Sequence, residues 1–98
     1  MKKGKFYVLR WFKGYASKVG LIDNVNGVEV GYYREKNENG ETVWTSIHLE
    51  TGYTIERGKT KEECMLKTVD FIPKLVQYEQ HISNGKKNMV EFLSTVAQ

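Results

Sequence analysis

The sequence has few of the residues and motifs that usually reveal a function. It has one cysteine, Cys64, so no disulfide can form within the chain, and a reducing compartment such as the cytoplasm is expected. No apolar run approaches the roughly 20 residues that a membrane-spanning helix needs. The basic start lacks a small-residue cleavage site, so we expect no secretory signal. The nine glycines form no phosphate-binding loop, which leaves a nucleotide site unsupported.

The composition is that of one folded domain spanning residues 1–98. The chain can form one hydrophobic core but not two, and 40% of its residues are hydrophobic. The formal charge of +3 is unevenly spread: residues 1–61 hold eleven Lys or Arg against seven Asp or Glu, and residues 62–98 hold four against five. A basic half permits an acidic partner, nucleic acid included, although ordinary solubilising lysines give the same balance.

Alternating apolar and polar residues predict a β-meander over residues 1–58. Strands are predicted at residues 5–13, 18–22, 28–36, 41–49 and 53–57. Asn39-Gly40 can supply the two positive φ angles of a type I′ turn, if the turn lies on that pair. This alternation predicts a buried sheet face of Val28, Val30, Tyr32, Val43, Ile47, Leu49 and Ile55. The opposite face, with Trp44, Ser46 and His48, is expected to be uncovered.

The rest of the chain predicts helices. Thr60 and Glu63 match a capping box, and Met65, Val69, Ile72 and Val76 recur at helical spacing as the stripe expected to meet the sheet. Pro73 predicts a kink, and Ser83-Asn84-Gly85 predicts the end of this helix. A short final helix is expected from about Asn88. We therefore predict an α+β fold, in which an antiparallel β-meander of about five strands precedes a Pro-kinked helix and a short C-terminal helix packed on one sheet face. The helical segment covers residues 60–98.

No arrangement of residues predicts catalysis convincingly. Cys64 and His48 could form a nucleophile–base pair, but no motif accompanies them, and the ordinary alternative is a half-buried cysteine that packs as a small apolar group. His48, Cys64 and His81, with Asp70 or Glu50, could hold zinc, although their spacing matches no compact ligand pattern. We therefore predict that the protein is not an enzyme, and we assign no catalytic residue, cofactor or metal. Whether His48, Cys64 and His81 form a metal site is left open.

Aromatic and basic residues on the sheet are the remaining signal. Rings flanked by cations suit base stacking and phosphate contact, and they also suit a protein interface. The same rings could stabilise cross-strand pairs without binding anything. The predicted binding residues are Tyr7, Arg10, Trp11, Lys13, Tyr33, Arg34, Lys36, Trp44 and His48.

Two resemblances follow from these features. Three strands leading into a helix through Gly-Lys-Thr-Lys-Glu-Glu, at residues 58–63, resemble the arm-type DNA-binding domains of phage integrases over residues 41–72. That resemblance implies a sheet that enters the DNA major groove. The whole chain, a Lys/Asn-rich α+β domain with one cysteine and no catalytic motif, is similar to small accessory proteins of phages and mobile elements in low-GC Gram-positive bacteria. That group includes anti-CRISPR inhibitors, and this resemblance implies a protein that occupies a surface of a nuclease complex.

The expected function is therefore binding. The leading hypothesis is an inhibitor or modulator that docks on a host nucleic-acid-processing complex, with a host protein or nucleoprotein as partner. The alternative is direct DNA or RNA binding by the aromatic and basic sheet face. No membrane partner is expected. The oligomeric state is open, because an uncovered first or fifth strand could pair across a dimer.

Overall fold

The computed structural model describes residues 1–10 and 13–96. Five strands come first: β1 (Lys2–Arg10), β2 (Gly14–Val25), β3 (Val28–Lys36), β4 (Thr42–His48) and β5 (Tyr53–Gly58). Helix α1 (Lys61–Phe71), a 3₁₀ segment (Ile72–Tyr78) and helix α2 (Glu79–Val96) follow. The strands form one antiparallel sheet in chain order, so the predicted α+β meander is confirmed. β2 is longer than predicted, and Lys13 lies in the β1–β2 connection.

The β3–β4 hairpin decides which side of β4 meets the helices. Asn37 and Glu41 pair through a 2.9 Å bond from the Asn37 N–H to the Glu41 carbonyl. Gly40 alone in this loop has a positive φ, of 80°, and its N–H donates to the Asn37 carbonyl. The loop is therefore a three-residue connection with a left-handed glycine. A two-residue turn on Asn39-Gly40 would have shifted the register by one residue, so the predicted type I′ turn is wrong.

This register reverses the predicted faces of β4. The observed partners are Val30 with His48, Tyr32 with Ser46, and Arg34 with Trp44. Directly opposed residues share a face, so Trp44, Ser46 and His48 lie beside Val30 and Tyr32. Val43, Ile47 and Leu49 belong to the other side. The prediction was wrong because both faces of β4 carry apolar residues, and one residue of register exchanges them.

The sheet curls until its first strand approaches its last. Three strand spacings separate β1 from β4, about 14 Å in a flat sheet, yet Phe6 and Val8 of β1 form one buried cluster with Tyr33 and Ile47. The Leu9 N–H also donates to the Gly52 carbonyl at 2.8 Å. We call the inner side the concave face. It is filled by its own side chains, so the expectation that the face away from the helices is uncovered is wrong.

The outer side of the sheet, called here the helix face, is covered by α1 and the 3₁₀ segment. Its buried cluster joins Val30 and Tyr32 of β3 to Cys64 and Ile72 of the helical region. The Thr68 hydroxyl donates to the Ser46 hydroxyl at 2.7 Å and ties α1 to β4. Fully burying a large apolar side chain contributes about 1.5–3 kcal/mol, so this layer is a main source of stability.

Helix α1 begins at the predicted cap, with one difference. The Glu63 N–H donates to the Thr60 hydroxyl at 3.1 Å, as a capping box requires. The Glu63 carboxylate accepts from the N–H of Lys59, at 3.1 Å, one residue before the expected donor. The helix therefore starts where the sequence predicts. The hydrogen bond between the Lys59 N–H and the Glu63 carboxylate also fixes the β5–α1 connection to the first turn of α1.

The helical region changes geometry at Pro73 and then continues past Gly85. The 3₁₀ segment begins at Ile72, which is the predicted disruption. Helix α2 then runs from Glu79 to Val96, so the predicted stop at Gly85 and the short helix from Asn88 are wrong. Gly85 is buried, and a Cβ there would lie 2.8 Å from the Tyr53 ring. The glycine serves close helix–sheet packing rather than a cap. No helix of residues 1–10 and 13–96 combines the length and apolar character needed to cross a bilayer.

We expect Gly58→Ala to lower the free energy of unfolding by about 1–3 kcal/mol, because the added methyl overpacks a backbone contact. Its Cβ would stand 2.6 Å from the Cys64 nitrogen in the first turn of α1. Gly4→Ala is the matched control, since its Cβ meets only the mobile end of Ile22. Urea unfolding followed by circular dichroism measures both variants, and equal losses would contradict the close-packing argument.

Candidate functional site

Most of the predicted basic residues gather at one end of the sheet. Antiparallel strands place the β1–β2 and β3–β4 connections and the end of β5 together. We call residues 10, 13–14, 34–44 and 57–63 the hairpin end. Of the predicted binding residues, it contains Arg10, Lys13, Arg34, Lys36 and Trp44. They share an end of the sheet rather than a face.

The predicted aromatic face does not form. Tyr33 lies on the concave face and is only 3% exposed, whereas Trp44 and His48 lie on the helix face. Tyr7 packs edge-on against Phe92 of α2, with ring centroids 5.0 Å apart. Trp11 lies outside the described residues. The prediction that these aromatic residues share one face is therefore wrong. The physical cause is the β3–β4 register, which places Trp44 and His48 on the helix face.

Glu35 organises the concave side of the hairpin end. Its carboxylate accepts hydrogen bonds from the Tyr33 hydroxyl at 3.0 Å, the Thr45 hydroxyl at 3.1 Å and the Arg10 guanidinium at 3.1 Å. Arg57 Nε lies 3.6 Å from the same carboxylate. Burial, followed by the negative charge of Glu35, raises the pKa of Tyr33 to about 12. Tyr33 therefore keeps its proton and acts as a donor to Glu35.

Trp44 is not a free stacking platform. The Arg34 guanidinium lies 5.7 Å from its ring centroid, a cation–π distance. The Trp44 ring also packs against the buried cluster of the helix face. A nucleobase would have to displace Arg34 to stack on this ring. The geometry thus favours a structural role for the ring and leaves Arg34 as the exposed group.

The charges of the hairpin end nearly balance. Its cationic residues are Arg10, Lys13, Arg34, Lys36, Arg57, Lys59 and Lys61. Its carboxylate residues are Glu35, Glu38, Glu41, Glu62 and Glu63. Strong phosphate binding needs a surface of one sign, because affinity comes from released counterions. A mixed surface of this kind fits a protein partner better than a nucleic-acid backbone.

Cys64 does not resemble an activated nucleophile. Its side chain is fully buried, and burial raises the pKa of the thiol. Its sulfur lies 3.8 Å from the Glu56 carbonyl, while His48 bonds Thr51 instead, with Nδ1 2.8 Å from the hydroxyl oxygen. In the described ranges, no group of three or more His, Cys, Asp or Glu could hold a metal ion. The geometry therefore supports the reading of Cys64 as a small core residue.

An exposed apolar stripe on the helical region was not predicted. Leu66 is 70% exposed, Val69 44% and Val76 72%, and Pro73 is exposed between them. Their spacing of three, four and three residues places them on one side of the helix. Val69 and Val76 were expected to meet the sheet, which Cys64, Thr68, Ile72 and Leu75 contact instead. The sequence does contain the pattern that predicts this exposed stripe, because its apolar residues follow two stripes at helical spacing rather than one.

Two cavities adjoin β5. An open cleft of about 1020 Å³ lies between the β1–β2 connection and β5, with Arg10, Lys13, Glu35 and Arg57 in its wall. A smaller cavity of about 310 Å³ lies between β5, the 3₁₀ segment and the start of α2. Both are lined by Tyr53, Thr54 and His81. A cleft with charged residues in its wall therefore stands directly beside a mainly apolar cavity.

These features define a small α+β domain, a curled five-strand meander with helices across its outer face. A scan against protein-family models, a search of curated proteins and a search of solved structures found no match to the chain. The function is therefore inferred from the surfaces of this molecule.

We expect Glu35→Gln to lower the free energy of unfolding by about 1–3 kcal/mol. The neutral amide loses the charge that Arg10 and Arg57 face, and it accepts weaker bonds from Tyr33 and Thr45. Glu38→Gln, in the exposed β3–β4 loop, is the control and should change stability by no more than about 0.5 kcal/mol. Urea titration measures both variants. Equal midpoints for Glu35→Gln and the wild type would show that the Glu35 contacts do not stabilise the fold.

Stability should also depend on the protonation of His48. Burial lowers the pKa of His48 below its usual 6.5. Below about pH 6.5 the unfolded chain then binds more protons than the folded chain at this residue, so His48 makes stability fall on acidification. Unfolding free energies near pH 7 and near pH 5 should differ less in His48→Gln than in the wild type. His81→Gln, on exposed α2 surface, should keep the wild-type difference, and an unaltered difference in His48→Gln would refute this assignment.

Proposed function

We propose that the chain is a small non-enzymatic binding protein that docks on a protein component of a host nucleic-acid-processing complex, where it acts as an inhibitor or modulator. The observation that carries this proposal is the exposed stripe of Leu66, Val69, Pro73 and Val76. Contiguous apolar groups on a small domain mark interaction surfaces, because leaving them in water costs free energy that a partner recovers.

The stripe has the geometry of a helix that docks in a groove. Anchors at spacings of three and four residues project from one side and can fill successive pockets of a partner. The hairpin end adjoins the start of α1 and adds exposed charges of both signs. Such charges set the orientation of a partner and exclude wrong ones, while the apolar anchors supply most of the affinity.

The choice of a host nucleic-acid-processing complex is supported by the resemblance to small anti-defence proteins of phages and mobile elements. Proteins of that style act by occupying a surface, which requires no catalytic group. The buried Cys64 and the separately bonded His48 are consistent with that mode of action.

Direct nucleic-acid binding is the second candidate, and the cations beside the cleft favour it. Arg10, Lys13 and Arg57 line the cleft, with Glu35 as the one carboxylate among the described residues of its wall. Phosphate contact by these residues would lose affinity steeply as salt rises. Fluorescence anisotropy with a labelled duplex and a labelled single strand tests this candidate, and absence of binding at low salt eliminates it.

The double variant Leu66→Glu/Val76→Glu should lose partner binding by at least about tenfold, because two exposed anchors become charged. Both side chains are more than two-thirds exposed, so the fold should be unaffected. Val90→Glu is the matched control: Val90 is 64% exposed on α2, away from the stripe. Capture from host lysate with mass spectrometry, followed by titration of the purified partner, measures the loss.

The expected result is a component of a nucleic-acid-processing complex that the wild type and Val90→Glu retain and the double variant releases. The captured protein should also be inhibited or altered in its activity by the wild type. Equal capture by all three proteins would contradict a role for the stripe, and a partner from an unrelated process would contradict the assigned complex.

A further inference from the structure

The smaller cavity beside β5 has the properties of a ligand site. It lies beneath the 3₁₀ segment, and its apolar wall includes Ile55, Phe71, Leu75 and Ile82. Phe71 and Tyr78 stack across the segment with centroids 5.9 Å apart, so an aromatic pair borders the cavity. Ligand pockets in proteins are mostly apolar, with a few polar groups that fix orientation.

One buried polar group in this cavity has an unused hydrogen-bonding atom. His48 is 6% exposed and lines the cavity, and its Nδ1 is bonded to the Thr51 hydroxyl oxygen at 2.8 Å. Within residues 1–10 and 13–96, no protein atom forms a hydrogen bond with the other ring nitrogen, Nε2, and this atom is not sealed from solvent. A molecule bound in the cavity can therefore form a hydrogen bond with Nε2.

The adjoining cleft supplies charge. Among the described residues of its wall, three are cationic, Arg10, Lys13 and Arg57, against one carboxylate, Glu35, which Arg10 and Arg57 both face. The cleft therefore keeps a net positive charge. Tyr53, Thr54 and His81 line both spaces, so a molecule in the cavity can extend a substituent into the cleft. These surroundings complement a substituent that carries a negative charge.

The size of the cavity limits the ligand. A cavity of about 150 Å³ accommodates benzene. This half-open cavity, with a volume of about 310 Å³, has room for a body of about two fused rings. It stands at the lower end of the range of small-molecule sites, about 300–1,000 Å³.

We propose that this cavity binds a small aromatic monoanion. The rings lie between the 3₁₀ segment and β5, Nε2 of His48 forms a hydrogen bond with the ligand, and the anionic group points toward Arg57. This site is separate from the Leu66–Val76 stripe, which lies on exposed surface of the helical region. Ligand binding and partner docking therefore succeed or fail independently.

The test uses 2-naphthoate as the probe and neutral 2-naphthol as its comparison, with binding measured by ¹H–¹⁵N NMR titration and calorimetry. We expect 2-naphthoate to shift the amides of Tyr53, Leu75 and Ile82, and to bind about five times more tightly than 2-naphthol because of the cationic cleft. Arg57→Gln should reduce that preference. Arg34→Gln is the matched control and should preserve it, because Arg34 is exposed at the hairpin end and is not among the residues that line the cavity or the cleft.

Two further variants test the cavity itself. Leu75→Trp should abolish binding by filling the space, and Val76→Trp, one residue away on the exposed stripe, should leave it unchanged. His48→Phe should weaken binding by about tenfold, because it keeps the ring and removes Nε2. Ile82→Phe fills the cavity from the α2 side and should also abolish binding. It replaces Leu75→Trp in the test if that variant does not fold.

The proposal is overturned if millimolar 2-naphthoate leaves the amides around the cavity unshifted in the wild type. Binding that persists in both folded cavity-filling variants would also overturn it. A 2-naphthol affinity equal to that of 2-naphthoate would overturn the anionic character of the ligand, since the cations of the cleft would then contribute nothing.

Discussion

The pairing of Asn37 with Glu41 sets the arrangement on which the rest of the molecule depends. With a three-residue loop between them, Ser46 faces α1 and accepts the hydrogen bond of Thr68, and His48 faces the cavity beneath the 3₁₀ segment. The alternate residues of β4 line the concave face, where Thr45 reaches Glu35. A different loop length would exchange these sets and place apolar residues where the polar bonds are made. The length of the β3–β4 loop therefore determines which β4 side chains reach the core, the Glu35 carboxylate and the cavity.

Both faces of β3 and β4 are largely buried, by different means. The helix face is covered by other elements, whereas the concave face is covered by curling, which brings Phe6 across β2 to Tyr33. Gly31 makes this possible, since any Cβ there would meet the Phe6 ring at 2.9 Å. Little of β3 and β4 is therefore left free for a partner. The exposed surfaces include the rim of the sheet and the outside of the helices.

The local elements could be predicted from the sequence, and their mutual arrangement could not. Strand alternation, the Thr60 cap and the effect of Pro73 depend on neighbours in the chain, so periodicity and turn residues identify them. The side of β4 that meets the helices depends on one residue of loop length, and Gly85 depends on the distant Tyr53 ring. Of the predicted binding residues, Arg10, Lys13, Arg34, Lys36 and Trp44 share one end of the sheet, because all lie near strand ends. Alternation does not reveal this grouping, since it assigns residues to faces of a sheet and not to its ends.

The contact between Tyr7 and Phe92 also bears on how the molecule assembles. It joins the first strand to the last helix, and Tyr15 of β2 reaches the same ring, with centroids 4.5 Å apart. During synthesis the N-terminal strands emerge long before Phe92 does. Contacts between residues so far apart in sequence slow folding, because a long loop must close before they form. Phe92 therefore cannot cover Tyr7 and Tyr15 on the ribosome until α2 has emerged.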